Sequence, residues 1–181
     1  MSRSRSRSKG HVFVTVGTTK FDALIAAVNS AAVAEAAAAA GASGVVVQVG
    51  GYGEAMDELA ARCDGLGIGC EVYNYKPSLQ EDMAGAGWVI GHAGAGTVTE
   101  VLRMGKPMVA VANGSLMNNH QEELAAAMAG AGYVIRAEPE PQSLAAALAA
   151  LSDGSAELQP FPPPASEAFV AVLDAEMGFV P

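Results

Sequence analysis

The sequence predicts an α/β fold, a mostly parallel β-sheet with helices on both faces. Three observations carry this. An apolar run followed by a stretch of helical spacing recurs six times along the chain. The apolar runs are continuous rather than alternating, as strands covered on both faces require. Several of them end in a glycine-containing turn that leads into a helix, the signature of crossover units and hence of a parallel sheet.

The elements follow in order. A first strand is expected over Val12–Val16, ending in Gly17-Thr18-Thr19, with helical spacing from Phe21 to Ala40 and a stop at Gly41. Val45–Val49 reads as strand, Glu54–Cys63 as helix, Cys70–Tyr75 as strand and Leu79–Met83 as a short helix. Trp88–Ile90 is a strand running into Gly91-His92-Ala93-Gly94-Ala95-Gly96, and Thr97–Met104 a helix closed by Gly105-Lys106-Pro107. Met108–Ala112 and Tyr133–Arg136 are strands, and Asn119–Ala129 and Gln142–Leu151 are helices. The arrangement is Rossmann-like, and ligands in such folds bind outside the carboxyl ends of the strands.

The ends of the chain differ in character. Residues 1–10 open with alternating Ser and Arg, which cannot bury a core and are expected to be disordered. Residues 152–164 contain Pro160, Pro162, Pro163 and Pro164 and read as a linker that cannot be helix. Residues 165–181 are expected to carry a C-terminal helix, with Phe169, Leu173 and Met177 on one stripe. Packing on its own domain and docking on a partner are both open readings for it.

Composition narrows the function. The 181 residues suffice for one domain, residues 11–151. Four of the ten basic residues lie in the first nine positions, which leaves six against nineteen acidic ones. So acidic a domain does not suit nucleic-acid phosphates or an anionic membrane surface, and so short an Arg/Ser repeat does little to restore an RNA role. Cys63 and Cys70 form no CxxC pair and read as reduced thiols. No run approaches the length of a membrane span and no secretory signal is expected.

Three segments can carry chemistry. Gly17-Thr18-Thr19 offers backbone amides and two hydroxyls at a strand end, where an anion can bind; an ordinary turn with a Thr N-cap is the competing reading. In the segment from Gly91 to Glu100, glycines let the backbone approach a ligand and a helix start aims its amides at the loop. Glu100 there suits a ribose hydroxyl or, alternatively, a capping box. His92 is the candidate catalytic group, since its ordinary pKa suits proton transfer, against the reading of a binding or structural histidine. In Asn118-Asn119-His120-Gln121, the side chains of Asn119, His120 and Gln121 can read sugar hydroxyls, and a helix cap is compatible with that. A dinucleotide fingerprint fails: Gly94-x-Gly96-x-x-Thr99 lacks the third glycine, and no acid follows at the end of the next strand. There is no Walker loop and no GxSxG elbow, and His92 with His120 falls short of the three ligands of a catalytic zinc.

Taken together, Phe13–Thr19 with Phe21-Asp22 and Leu24-Ile25, Ile90–Thr97 with Glu100, Leu102-Arg103 and Gly105-Lys106-Pro107, and Asn119-His120-Gln121 with Glu123-Leu124-Ala125 resemble one family. It is the small catalytic subunit of the eukaryotic two-chain UDP-N-acetylglucosamine transferase of lipid-linked oligosaccharide synthesis, similar to the C-terminal half of the bacterial peptidoglycan GlcNAc transferase. The resemblance spans about residues 11–136. It implies the donor-binding half of a GT-B glycosyltransferase, an inverting reaction that adds GlcNAc from UDP-GlcNAc to a lipid-diphosphate-GlcNAc acceptor, and a membrane-anchored acceptor-binding partner that brings the chain to the cytosolic face of the endoplasmic reticulum. It implies that Gly94, Ala95, Gly96 and Thr97 cradle the diphosphate, Glu100 holds the ribose, Asn119, His120 and Gln121 face the sugar, and Gly17, Thr18 and Thr19 line the cleft toward the acceptor half. No metal or other cofactor is implied, and the acceptor base is expected on the partner. Two alternatives stand beside it: a related two-chain transferase using another UDP-sugar, disfavoured for an acidic sugar by Glu122 and Glu123, and a non-catalytic nucleotide-binding regulatory module.

Overall fold

The computed structural model describes residues 10–114 and 120–164. Six strands, β1 (His11–Thr15), β2 (Gly44–Gln48), β3 (Gly69–Tyr73), β4 (Ala86–His92), β5 (Met108–Val111) and β6 (Ile135–Ala137), form one all-parallel sheet in the order β3-β2-β1-β4-β5-β6. Seven helices cover it: α1 (Asp22–Val28), α2 (Ala31–Ala39), α3 (Asp57–Leu66), α4 (Gln80–Gly85), α5 (Ala95–Arg103), α6 (His120–Gly130) and α7 (Pro141–Asp153). The α/β class and the parallel sheet expected from the sequence are what the structure contains.

The continuous apolar runs have their predicted cause. Alternate residues of a strand face opposite sides of the sheet, and both sides here are covered. Val12, Val14, Val45, Val47, Ile90 and Val109 pack with Leu24, Ile25, Val33, Leu59, Leu144 and Leu148 on one side. Phe13, Val89, Met108 and Ala110 pack with Met83, Val98, Val101, Leu102 and Ala125 on the other. The edge strand β3 lacks this double cover and is partly exposed along its length.

The stretch Phe21–Ala40, expected as one helix, is two. α1 ends at Val28 and α2 starts at Ala31, with axes 63° apart. Two polar side chains cause the break by competing for backbone groups. Ser30 adopts extended backbone and caps α2 by accepting from the Val33 amide at 3.5 Å. Asn29 reaches across to α3, which has no side-chain cap of its own. Its Oδ1 accepts from the Leu59 amide at 2.9 Å and its Nδ2 donates to the Ala55 carbonyl at 3.2 Å. Among the described residues no single helix is long and apolar enough to cross a membrane.

Elsewhere the glycine and lysine of the Gly105-Lys106-Pro107 stop each close a helix end. Gly105 takes positive φ and donates to Leu102 at the end of α5. The Lys106 ammonium donates to the carbonyls of Ala84 and Ala86, at 2.6 and 2.9 Å, beside the C-terminus of α4. The proline-rich stretch runs back along the domain: the Gln159 amide donates to Gly132 at 2.8 Å, and Phe161 meets the Tyr133 ring edge-on at 5.2 Å. The Arg/Ser tail through Lys9 and the helix expected over residues 165–181 lie outside the described residues.

Asn29→Ala removes the only side-chain acceptor at the start of α3 among the described residues. We expect it to lower stability by about 1 kcal/mol. Chemical denaturation checks this; an unchanged midpoint would mean that the cap contributes nothing.

Candidate functional site

In this strand order the crossovers diverge between β1 and β4, and a crevice opens at the carboxyl ends of those strands. A cavity of about 540 Å³ lies there, bordered by Gly17, Thr18, Gln48, the segment Tyr75–Leu79, Met83, His92, Gly94, Gly96, Thr97 and Glu100. The first two motifs singled out in the sequence, 79 or so residues apart, thus face one space because β1 and β4 are hydrogen-bonded neighbours.

Gln48 organises the floor. It closes β2, is 1% exposed, and uses its whole amide. Oε1 accepts from the Thr15 hydroxyl at 2.7 Å and the Val16 amide at 3.1 Å, while Nε2 donates to the carbonyls of Gly17 at 2.9 Å and Asn74 at 3.1 Å. The Gly17 amide in turn donates to the Thr15 hydroxyl at 3.0 Å. The Thr19 amide and hydroxyl both donate to the Val16 carbonyl, at 3.2 and 2.8 Å. Of the three amides expected to meet an anion at this turn, those of Gly17 and Thr19 are therefore spent on the turn itself. Thr19 closes that turn rather than capping α1, whose N-cap is Phe21.

His92 ends β4 and is 5% exposed. Its ring lies between two glycines. A Cβ on Gly17 would stand 2.6 Å from Cε1, and one on Gly94 would stand 2.3 Å from Nε2, so any side chain at either position displaces the imidazole. Gly17 also has φ +59°, a left-handed conformation that favours glycine. Burial pushes the His92 pKa below the ordinary value of 6.5, against a smaller upward pull from the Thr15 backbone. Nδ1 is buried without a hydrogen-bond partner. The ring is neutral at physiological pH.

Gly94 is the N-cap of α5 and brings no side-chain cap. The first intrahelical bond runs from Val98 to Gly94 at 2.9 Å, which leaves the amides of Ala95, Gly96 and Thr97 at the positive end of the helix dipole, beside the cavity. A Cβ at Gly96 would meet nothing within 4 Å; the space in front of the helix is open. Glu100 is the sixth residue of α5, past the third-position slot of a capping box, which removes the capping reading. It is exposed and borders both this cavity and a second one of about 800 Å³, lined by Gln80, Ala95, Gly96, Thr99, Arg103 and Met104.

The third motif stands apart. The exposed His120 lies 4.0 Å from Glu123, and the Gln121 Oε1 accepts from the Asn113 amide at 3.1 Å. Neither lines the first cavity. Glu122, expected near a sugar, pairs with Arg136 of β6. Asn119 lies outside the described residues. Sequence reasoning missed Gln48 and the opposite wall, Tyr75–Leu79. A polar residue ending the apolar run Gly44–Gln48 was a usable signal for the first; a loop of ordinary turn residues offered none for the second. Among the described residues no three His, Cys, Asp or Glu side chains gather as a metal-binding group.

The strand order, with an uncapped helix N-terminus at its switch point, defines a doubly wound α/β domain, the class to which the donor-side halves of GT-B glycosyltransferases belong. The chain belongs to the glycosyltransferase family 28 C-terminal domain, which it matches over residues 11–175. It is 42% identical over 123 residues to the human UDP-N-acetylglucosamine transferase subunit ALG13, covering 68% of this chain and 10% of that protein; the chain thus spans about a tenth of the human relative's length. The solution structure of an ALG13 superimposes with a TM-score of 0.64 at 24% identity, over 91% of this chain and 94% of that one. The MurG structure from Acinetobacter baumannii superimposes with a TM-score of 0.60 at 17% identity, over 83% of this chain and 46% of that one. The last two show the fold, and the MurG coverage shows that this chain corresponds to about one half of it.

Two outcomes follow. Gln48→Glu places a carboxylate against the carbonyls of Gly17 and Asn74, to which it cannot donate. We expect a loss of about 2–3 kcal/mol at neutral pH, shrinking as acid protonates the new carboxyl. Denaturation at two pH values checks it. For His92, the folded-state pKa lies below the unfolded one, so the unfolded chain takes up the proton first. Stability therefore falls as pH drops below about 6.5, with a slope up to about 1.4 kcal/mol per pH unit, until the lower folded value is passed. Denaturation midpoints at pH 7.5 and 5.5 should show this slope in the parent and not in His92→Asn.

Proposed function

We propose that this chain is the donor-binding, catalytic subunit of an inverting UDP-N-acetylglucosaminyltransferase that extends a lipid-diphosphate-GlcNAc acceptor, the second step in building the lipid-linked oligosaccharide for N-glycosylation. The observation that carries the reading is the uncapped start of α5 at the β1/β4 crevice, with Glu100 farther along the same helix. The name of the human relative and the family membership support the choice of donor.

The chemistry follows from that placement. An acceptor hydroxyl attacks the anomeric carbon from the face opposite the UDP, a new C–O bond forms, and the bond to the β-phosphate oxygen breaks with its electron pair going to the diphosphate. The amides of Ala95, Gly96 and Thr97 are placed to hold that growing charge without reorganising. Glu100 accepts from the ribose hydroxyls, and Gly17 and Thr18 border the side of the cleft where the acceptor enters. His92, neutral through burial, is the chain's own candidate for the proton-handling group. His120 and Gln121, at the start of α6, are proposed to meet the sugar when donor and partner are bound, as the family resemblance implies. The chain works with a membrane-anchored partner that supplies the acceptor site, at the cytosolic face of the endoplasmic reticulum; that the human relative is named a transferase subunit supports a partner.

The test is transfer of labelled GlcNAc from UDP-GlcNAc to a lipid-diphosphate-GlcNAc acceptor by the full chain co-expressed with a candidate membrane partner. Transfer should require both chains. Glu100→Ala should lower kcat/KM by about tenfold or more through lost ribose hydrogen bonds. UDP binding without transfer to any acceptor would favour a regulatory nucleotide-binding module, and transfer only from another UDP-sugar would change the donor.

A further inference from the structure

One charged cluster borders the crevice without belonging to either motif. Lys76 is the single cation among the described residues that line the 540 Å³ cavity. Its ammonium is held 3.1 Å from Glu71 Oε1 and 3.1 Å from both carboxylate oxygens of Asp82, and sits 4.0 Å from the centroid of the Tyr73 ring. The Tyr73 hydroxyl donates to the same Asp82 at 2.5 Å. The Asp82 side chain is 13% exposed, while Lys76 and Glu71 lie at the surface.

The geometry ties three pieces of chain together. Glu71 and Tyr73 lie on β3, Asp82 on α4, and Lys76 in the loop between them. That loop, Tyr75–Leu79, is the wall of the cavity facing α5 and His92. Its beginning is fixed to the floor: Asn74 O accepts from Gln48, and Asn74 Nδ2 and Gly50 O are bonded at 3.1 Å. Lys76, the second residue of the loop, adds a link from β3 to α4 through Glu71 and Asp82, beside the direct Tyr73–Asp82 bond. The charges also matter for the occupant. Lys76 lines the cavity and Glu71 and Asp82 stand behind it, so removing the ammonium takes away the positive charge nearest a bound anion and leaves two carboxylates beyond it, a repulsion that solvent screens only in part.

We propose that Lys76 is a positioning residue for the bound nucleoside diphosphate: through Glu71 and Asp82 it sets the cavity wall at Tyr75–Leu79 and offsets negative charge beside the diphosphate. This rests on the nucleotide-site reading above.

Two measurements on the full chain test it. The first needs no ligand. Hydrogen exchange of the free protein should be faster in residues 75–81 of Lys76→Met than in the parent, with β1, β2 and β4 unchanged; equal exchange in that loop overturns the positioning role. The second is UDP affinity by calorimetry. Lys76→Met should bind about five- to tenfold more weakly, Lys76→Arg should stay within about twofold of the parent because it keeps the charge, and Lys76→Met combined with Glu71→Gln should regain most of the loss. Unchanged affinity in Lys76→Met, or an equal loss in Lys76→Arg, overturns the proposal. A parent chain that binds no UDP overturns the nucleotide-site reading itself, and the exchange result then still decides whether Lys76 holds the wall.

Discussion

The side-chain amide of Gln48 is the interaction on which the crevice depends. It makes four hydrogen bonds at the carboxyl ends of three adjacent strands, to Thr15 at the end of β1, to Val16 and Gly17 beyond it, and to Asn74 beyond β3. A buried amide left half-bonded is costly, and a fully bonded one fixes its surroundings. Here it fixes the turn that presents Gly17 and Thr18, and through Gly17 the ring of His92. It also fixes the start of the loop that forms the opposite wall. The apolar layers on either face hold the sheet together, but they would do so equally for many loop conformations. The polar node selects one.

The crevice that results offers a local positive potential in a chain that is acidic overall. The resolution lies in local rather than global electrostatics. Three amides at the start of α5 carry partial positive charge and no competing side-chain cap, while the neutral His92 adds none. Glycine at Gly94 and Gly96 keeps that surface bare, and Gly94 has a second reason to be glycine in its contact with the His92 ring. The acids that dominate the composition lie largely elsewhere or are offset, as Glu71 and Asp82 are by Lys76 and Glu122 is by Arg136. Net charge therefore excluded broad classes of partner without contradicting an anionic ligand.

Several residues turned out to have work different from the one their position suggested. Thr19 looked like a phosphate contact or a helix cap and closes the preceding turn instead. Gln121 reads in the sequence as a sugar-facing side chain, and its Oε1 accepts from the Asn113 amide just past β5. Glu100 had capping as its rival role, and the register of α5 excludes it. In each case the residue type was read correctly as a hydrogen-bonding group, and the partner depended on an offset of one to three residues in where a helix begins. Sequence periodicity does not resolve such offsets, because helix starts are set by which side chain wins the first free amides.

The sequence by itself determined the class of fold, the order of strands and helices, and the two segments, after β1 and before α5, that face the crevice. These are properties of local pattern: continuous apolar runs, helical spacing and glycines at strand ends. Tertiary structure decided the rest. The division of Phe21–Ala40 required Asn29 to meet α3, about thirty residues away, and the role of Gln48 required β2 to lie between β1 and β3. The wall at Tyr75–Leu79 became part of the site only because β3 and α4 carry it over the crevice. Each of these is a contact between residues far apart in sequence, and no local propensity encodes where a distant partner will stand.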